Sequence, residues 1–522
     1  MITIKKLNES FLHIDCNGDA FKTVRNAFSF KSKNYWFHPL YKSKKWDGTI
    51  SLFKDFRLPI GFKDDVLNLF NSKGYEYECS GNLENYDFGY TRQELIDFVH
   101  NDLRPTAFNI DTKQIENLIL KEYQVDAIMQ FLTDNKGVTI SPTSSGKSLI
   151  LYVICQILLK LDSNIKVLIL VPKTSLVEQM YGDFKEYSMN TKKYEIESKM
   201  QKIYTGFTKD ISSNIVISTW QSLQNNDTKY FDMFDACLVD EVHSVCESGD
   251  DGKKIRKMLE QLTNAIFKFG VTGTLYDGDA EKMSIQAQFG NIKQYVSTKD
   301  LMEDGTVTKT HITNIVLDYS QEDRKTVARK KHEYLDGNGD KKYKYGMTFK
   351  EESDFLTAHE DRFKFIIKLC YKLKGNNLIL FKDVKNGYGK KIYEALKKLG
   401  KEAYYVDGLT KTKDREEIRK IAERSKDIYI VASYKTFSTG INIKKLHNIV
   451  LAESTKSKIT ILQSIGRILR KHYTKSIARI YDIVDDLRYK RRKNYTLKHF
   501  LQRVEYYERE GHDYSVKKID LK

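Results

Sequence analysis

Ser141-Pro142-Thr143-Ser144-Ser145-Gly146-Lys147-Ser148 separates a short β-type run, Val138 to Ile140, from a long apolar run that begins Leu149-Ile-Leu-Tyr-Val-Ile154. A strand that passes through a small-residue turn into a helix is half of a parallel-sheet crossover. This order therefore commits the surrounding segment to an α/β layer. Gly146 stands where a side chain would collide with an approaching anion, so backbone N–H groups at the helix start can cradle phosphate oxygens. Lys147 supplies a point charge for β- and γ-phosphates, and the Ser148 hydroxyl can reach magnesium. Pro142, Thr143, Ser144, Ser145, Gly146, Lys147 and Ser148 are thus the expected nucleoside-triphosphate cradle. The loop opens with Ser141 where the usual pattern has Gly, so the strand–loop–helix setting carries the reading.

Further along, residues 240–243 read Asp-Glu-Val-His after the apolar Ala236-Cys-Leu-Val239. Asp240, at a strand's carboxyl end, is expected to face magnesium, and Glu241 to polarise an attacking water. His243 is expected to couple this site to a neighbouring segment. In the C-terminal third, Gln463-Ser-Ile-Gly-Arg467-Ile-Leu-Arg470 sets two guanidinium groups three residues apart, on one expected helix face. Arginine binds phosphate oxygens through its planar fork and stays charged when buried, so this cluster could complete the site from a second lobe.

At 522 residues the chain exceeds what one hydrophobic core sustains. No apolar run approaches the roughly 20 residues that span a bilayer, and Met1-Ile-Thr-Ile-Lys-Lys6 lacks a secretory apolar core. The six cysteines include no close pair, which argues against a zinc ribbon and for a reduced, cytoplasmic setting. The net charge of +17 is concentrated: residues 346–522 hold 41 Lys and Arg against 23 Asp and Glu, while residues 106–345 hold 31 against 33. DNA or RNA is the expected counterpart of that basic third, with a solvated lysine-rich surface as the alternative.

Short runs rich in Val, Ile, Leu and Phe recur at 138–141, 166–171, 214–218, 236–239 and 267–271, then at 377–381, 403–406, 428–432, 448–451 and 478–483. The rhythm predicts an α/β chain with two parallel sheets wound by helices. The expected organisation is an N-terminal α+β DNA-binding domain over 1–105 and a first lobe over 106–300. A linker or insertion over 301–355 and a second lobe over 356–522, ending in a basic helical tail, complete it. Between Asp19 and Asp47 there is no acidic residue, while seven basic residues alternate with aromatic rings. Lys33, Trp36, Lys44 and Lys45 are the nucleic-acid candidates there, with packing of the rings into a small core as the alternative. Asp336-Gly-Asn-Gly-Asp340 begins like a calcium loop, but Lys341 and Met347 stand where Gly and Glu are needed. A hairpin or flexible insertion is expected instead.

Tyr123-Gln124, Pro142–Ser148, Val171-Pro172-Lys173-Thr174, Ser218-Thr219-Trp220-Gln221-Ser222-Leu223, Asp240–His243 and Thr272-Gly273-Thr274 resemble the first-lobe motifs of superfamily 2 helicases. Ser438-Thr439-Gly440-Ile441-Asn442 and Gln463–Arg470 resemble the second-lobe motifs. The resemblance implies two RecA-like lobes with ATP and Mg2+ in the cleft between them. It implies that Gln124 reads adenine, that Gly440 adjoins the nucleotide, and that Arg467 and Arg470 act as arginine fingers. Thr272, Gly273 and Thr274 would couple hydrolysis to nucleic-acid grip; Thr174, Thr219, Trp220 and Thr439 would lie along the nucleic-acid backbone.

Tyr35-Trp36-Phe37, Trp46-Asp47-Gly48, Leu301-Met-Glu-Asp-Gly305, Ala432-Ser-Tyr434 and Tyr481-Asp-Ile-Val-Asp-Asp486 further resemble UvsW-type recombination helicases of T-even-like phages. This implies an ATP-dependent DNA helicase acting on Holliday junctions, forks, D-loops and R-loops in the cytoplasm of an infected bacterium. The implied partners are branched, single- and double-stranded DNA, RNA–DNA hybrids, and single-strand-binding or recombination proteins. A duplex translocase that does not separate strands, and an ATP-regulated DNA-binding or annealing protein, are the alternatives.

Overall fold

The structure is a computed structural model; it describes residues 2–32, 34–109, 112–246, 250–335, 340–440 and 443–521, with only the backbone for 250, 412 and 438–440. The chain divides into two compact units, Met1–Pro142 with Gly146–Val296, and Thr143–Ser145 with Ser297–Lys522.

The first unit is built on a seven-stranded parallel sheet in the order Met200–Ile203, Ile215–Thr219, Val167–Val171, Ala236–Asp240, Phe267–Thr272, Lys136–Ile140, Ile292–Gln294. Its inner strands Val167–Val171, Ile215–Thr219 and Phe267–Thr272 are buried at every position. Burial on both faces is why they read as continuous apolar runs rather than alternating ones. Helices Glu122–Asp134, Lys147–Leu161 and Thr174–Tyr187 bring Phe131, Tyr152 and Phe184 onto one face of the sheet. Phe231, Phe234, Val242 and Leu259 pack on the other. Met200–Ile203 and Ile292–Gln294 escape a sequence reading because these edge strands are three or four residues long and half polar.

The second unit repeats the plan with the order Ala403–Val406, Tyr429–Ser433, Asn377–Phe381, Asn448–Leu451, Ile477–Asp486, Lys309–Asp318, Asp513–Asp520. Two of these strands correct the sequence reading. Lys309–Asp318 falls in the stretch expected to be a linker, yet it runs parallel to Ile477–Asp486 in register from Lys309↔Ile477 to Asp318↔Asp486. Threonines and an asparagine dilute its apolar signal, but Ile312, Asn314 and Leu317 are fully buried. Asp513–Asp520, on its far side, belongs to the tail expected to be helical. The rest of 301–355 does contain a hairpin, Lys331–Leu335 paired antiparallel with Lys341–Tyr345. Residues 336–339 of the calcium-loop-like sequence lie outside the described residues.

The N-terminal segment forms a four-stranded sheet, Arg57–Pro59, Phe11–Asp15, Ile2–Lys6, Tyr77–Ser80, with helices Gly18–Ala27 and Lys63–Lys73. Ile4, Leu12, Val24, Val66 and Phe70 make its core. It joins the rest of the first unit through polar as well as apolar contacts. Lys136 donates to Glu9 at 2.9 Å, and Gln286 to Asp65 at 2.8 Å. The buried Lys268 donates to the Ser10 hydroxyl at 2.9 Å, and burial pushes its ammonium down to about 7. Among the described residues no helix is long and apolar enough to cross a membrane.

Gly61 sits so close to the helix Asp279–Phe289 that a Cβ would collide with the Gln286 carbonyl and come 2.8 Å from Gly290 N. Backbone cannot retreat as a flexible side chain can. Gly61→Ala is therefore expected to destabilise the first unit by about 1–3 kcal/mol, the usual cost of overpacking. Thermal unfolding of the full chain checks this; an unchanged melting temperature contradicts the seating described.

Candidate functional site

The phosphate-loop sequence lies between the strand Lys136–Ile140 and the helix Lys147–Leu161. Gly146 caps that helix with φ +83°, and Ser144 takes φ +71°, a strained value for a residue with a side chain. The Lys147 ammonium donates to the carbonyls of Ser141 at 3.0 Å and Pro142 at 3.2 Å. Ser141 N donates to Thr272 O at 2.8 Å, which ties the loop to the neighbouring strand end. Gln124 is buried, its Oε1 accepts from Lys121 N at 2.9 Å, and its amide nitrogen lies where a Cβ on Gly146 would fall.

The acidic pair lies at the end of the strand Ala236–Asp240. Glu241 adopts φ +55°, and its backbone N donates to Asp240 Oδ1 at 3.0 Å. Thr272 Oγ1 donates to Glu241 Oε2 at 3.2 Å. His243 Nδ1 lies 2.9 Å from the same hydroxyl and 3.2 Å from Glu241 Oε2. Glu241, His243 and Thr272 thus close a three-way polar contact, and Thr272 also bonds the backbone of Thr274 across Gly273. Burial, and then the neighbouring Glu241 charge, push the Asp240 carboxyl well up, against the pull of Lys147. Burial acts to raise Glu241 too, but the His243 hydrogen bond and charge, with Lys147, hold it below the usual carboxylate range. The set offers one ionised carboxylate able to accept a proton from water, one hard oxygen donor, and one fixed cation.

In the second unit, Gln463 and Arg467 lie on the helix Lys458–Ile468, with the Arg467 guanidinium 5.7 Å from the Phe437 ring centroid. Arg470 departs from the expected helix face: the helix ends at Ile468, and the Arg470 carbonyl accepts from Thr308 Oγ1 at 3.3 Å. Two arginines that the sequence reading passed over hold the loop entering this helix. Arg362 bonds Asp485 at 2.7 and 3.1 Å and the Ala452 carbonyl at 2.8 Å. Arg503 bonds Asp482 at 2.8 Å, the Ser454 hydroxyl at 2.9 Å and the Thr455 carbonyl at 3.3 Å. Both guanidiniums are 1% exposed. The available signal was the acids of Tyr481-Asp-Ile-Val-Asp-Asp486 in an otherwise buried strand, which require buried cations. The side chains of Thr439 and Gly440 lie outside the described residues.

The nucleic-acid candidates divide. Thr174 is exposed at the start of the helix Thr174–Tyr187. Thr219 is buried and shares a 2.8 Å hydrogen bond with Ser222. Trp220 is only 7% exposed and packs into the core cluster that also holds Phe231, so its ring is not available for stacking. In the N-terminal segment Phe28 is core, whereas Trp36 is 50% and Phe37 68% exposed beside exposed Lys44 and Lys45. Lys33 lies outside the described residues.

Residues 2–79 match the family "DNA helicase UvsW, N-terminal", residues 117–277 match "Type III restriction enzyme, res subunit", and residues 361–472 match "Helicase conserved C-terminal domain". The chain is 34% identical over 530 aligned residues to the ATP-dependent DNA helicase uvsW of Enterobacteria phage T4, with 98% of each covered. It is 21% identical to the DNA 3'-5' translocase XPB2 of Sulfurisphaera tokodaii, over 73% of this chain and 85% of that one. The crystal structure of T4 UvsW aligns with all of both chains at 31% identity and TM-score 0.49. Mss116p bound to single-stranded RNA and AMP-PNP shares the fold at TM-score 0.55 and 15% identity, over 84% of this chain and 81% of that one.

Gly146→Ala combines a left-handed φ with a clash against Gln124. Strain of about 1–3 kcal/mol is expected to weaken ATP binding by about ten- to a hundredfold. Titration with a fluorescent ATP analogue reads this, and wild-type affinity contradicts it.

Proposed function

The chain belongs to the UvsW family of ATP-dependent DNA helicases, and from that membership we propose that it remodels branched DNA. The substrates are Holliday junctions, forks, D-loops and R-loops, unwound or branch-migrated in recombination, repair and replication restart. Its setting is the cytoplasm of an infected bacterium, with single-strand-binding or recombination proteins as partners. The observation that carries the reading is the 34% identity over 98% of both chains to a phage ATP-dependent DNA helicase. The contacts of Glu241 with His243 and Thr272, which tie the acidic pair to the next strand end, suit it.

In this reading the loop backbone and Lys147 bind the triphosphate, and Gln124 orients the base. The donor set suits magnesium, a hard cation usually held by one or two protein oxygens plus phosphates: Ser148 and the anchored Asp240 would hold it. Bound there, it would neutralise charge on the phosphate oxygens. Glu241 takes a proton from the attacking water, with His243 and Thr272 fixing its orientation. Arg467 and Arg470 stabilise charge on the transferring phosphoryl group, and Gln463 positions that helix end. Strand displacement compared across a junction, a fork, an R-loop and a plain duplex tests the substrate assignment. Preferential, ATP-dependent action on the branched forms is expected; equal action on the plain duplex overturns it.

The roles assigned to the cations are separable by substitution. Lys147→Ala is expected to abolish DNA-stimulated turnover in a folded protein. Arg467→Ala and Arg470→Ala should lower turnover, by on the order of 10³-fold where the guanidinium acts only in the transition state, far more than ATP affinity. Steady-state ATP hydrolysis separates the two quantities, and normal turnover in both arginine variants contradicts the assignment.

The exposed tip around Trp36, Lys44 and Lys45 grips DNA beside the motor. Deleting the whole domain would uncover Lys268 and Ala287, so point changes are the better probe. Trp36→Ala with Lys44→Gln and Lys45→Gln is expected to weaken junction binding. Its salt slope should fall by about 2, near 0.9 for each phosphate no longer neutralised. Identical affinity and slope would mean the tip does not touch DNA.

A further inference from the structure

The hairpin Lys331–Leu335/Lys341–Tyr345 has no part in the chemistry described so far, and its composition is unusual. Nine of its ten strand residues are exposed, so neither face of the ribbon is covered. Tyr334 is 50%, Tyr343 45% and Tyr345 53% exposed. An isolated two-stranded ribbon is marginally stable in water, and this one carries Lys331, Lys341, Lys342 and Lys344. Its base meets a second basic element, the turn Arg488-Tyr-Lys-Arg-Arg-Lys493, where Tyr489 and Arg492 pair as an isolated bridge. Gly346 takes φ +96°, which favours glycine, and packs against the Arg492 guanidinium. Gly346, Met347, Arg492 and Lys493 line one narrow cleft, so hairpin and turn form a continuous surface.

Residues 329–346 and 488–493 together carry eleven Lys and Arg against three Asp and Glu. Some charge is balanced locally, as in Lys341–Glu333 at 2.8 Å and Arg488–Asp486 at 2.6 Å. The remaining surplus repels itself and costs stability unless a polyanion lies against it. Cations already sit over the rings: Lys331 is 3.6 Å from the Tyr343 centroid and Arg329 5.6 Å from that of Tyr489. A two-stranded ribbon with exposed faces has the width that the major groove of B-DNA admits. Lysines and tyrosines donate to phosphate oxygens on either side of such a groove.

We propose that this ribbon and turn are a second DNA-binding surface, on the second unit, which grips the backbone of double-stranded DNA. The proposal rests on the DNA-helicase reading but goes beyond it, since none of these residues belongs to the ATP site or the N-terminal tip.

The test is equilibrium binding of a fluorescent blunt duplex to the full chain at several salt concentrations. Two triple variants are compared with wild type: Lys331→Gln, Lys341→Gln, Lys344→Gln on the ribbon, and Lys490→Gln, Arg491→Gln, Lys493→Gln on the turn. Arg488 and Arg492 are left in place because they hold the turn. Each triple is expected to weaken duplex affinity by about ten- to a hundredfold and to lower the salt slope by about 2–3. ATP hydrolysis without DNA should be unchanged. The ribbon triple with Arg in place of Gln should restore binding, which a purely structural effect would not do. Wild-type affinity and slope in both Gln triples, or failure of the Arg version to restore binding, overturns the proposal. Wild-type protein that binds no duplex would overturn the DNA reading as well.

Discussion

One ammonium, Lys147, acts on two adjacent carboxylates, Asp240 and Glu241, at the carboxyl end of one parallel strand, with the strand Phe267–Thr272 lying between it and the strand that leads to Lys147. Holding two like charges side by side, partly shielded from water, is costly, and the pair survives because the charges are made unequal. Burial and Glu241 push Asp240 up, whereas His243 and Lys147 draw Glu241 down. The rest of the first unit serves this arrangement. The fully buried strand Phe267–Thr272, with Ala236–Asp240 and Lys136–Ile140 buried at all but end positions, fixes the three strand ends, and a helix buried along most of its length sets Lys147 at its first turn. Left-handed backbone at Ser144, Gly146 and Glu241 marks where the fold bends to bring these groups together.

The second unit uses buried charge differently. Asp482 and Asp485, on one strand, each hold an arginine from a different helix, and those arginines reach the loop that launches Lys458–Ile468. Removing one partner of such a pair leaves an uncompensated buried charge, at about 3–5 kcal/mol. The geometry of Arg467 thus depends on residues far from it in sequence.

Much of this was readable from the chain. The strand–loop–helix around residues 141–148, the strand-end acidic pair and most inner strands are legible because each couples an apolar run to a short polar turn. Strands with mixed composition did not. Lys309–Asp318 carries threonines and an asparagine and owes its place to partners more than 160 residues away in sequence. Trp220 shows the opposite limit: motif position suggested nucleic acid, whereas a large ring beside the sheet is worth more in the core. The arginines Arg362 and Arg503 were invisible singly, since an arginine on a helix looks the same whether it faces water or a buried aspartate. Family membership adds the ATP-dependent helicase activity, which no local feature alone determines.

In the proposed function the half-buried Asp240–Glu241 pair, not a peripheral acid, drives ATP hydrolysis. Glu241→Gln tests it most directly, because the amide preserves size and can still accept from Thr272 while losing the charge that takes the proton. Steady-state ATP turnover in the presence of DNA should fall by about 10²–10⁴-fold, with ATP affinity retained. Turnover at the wild-type rate would contradict the account.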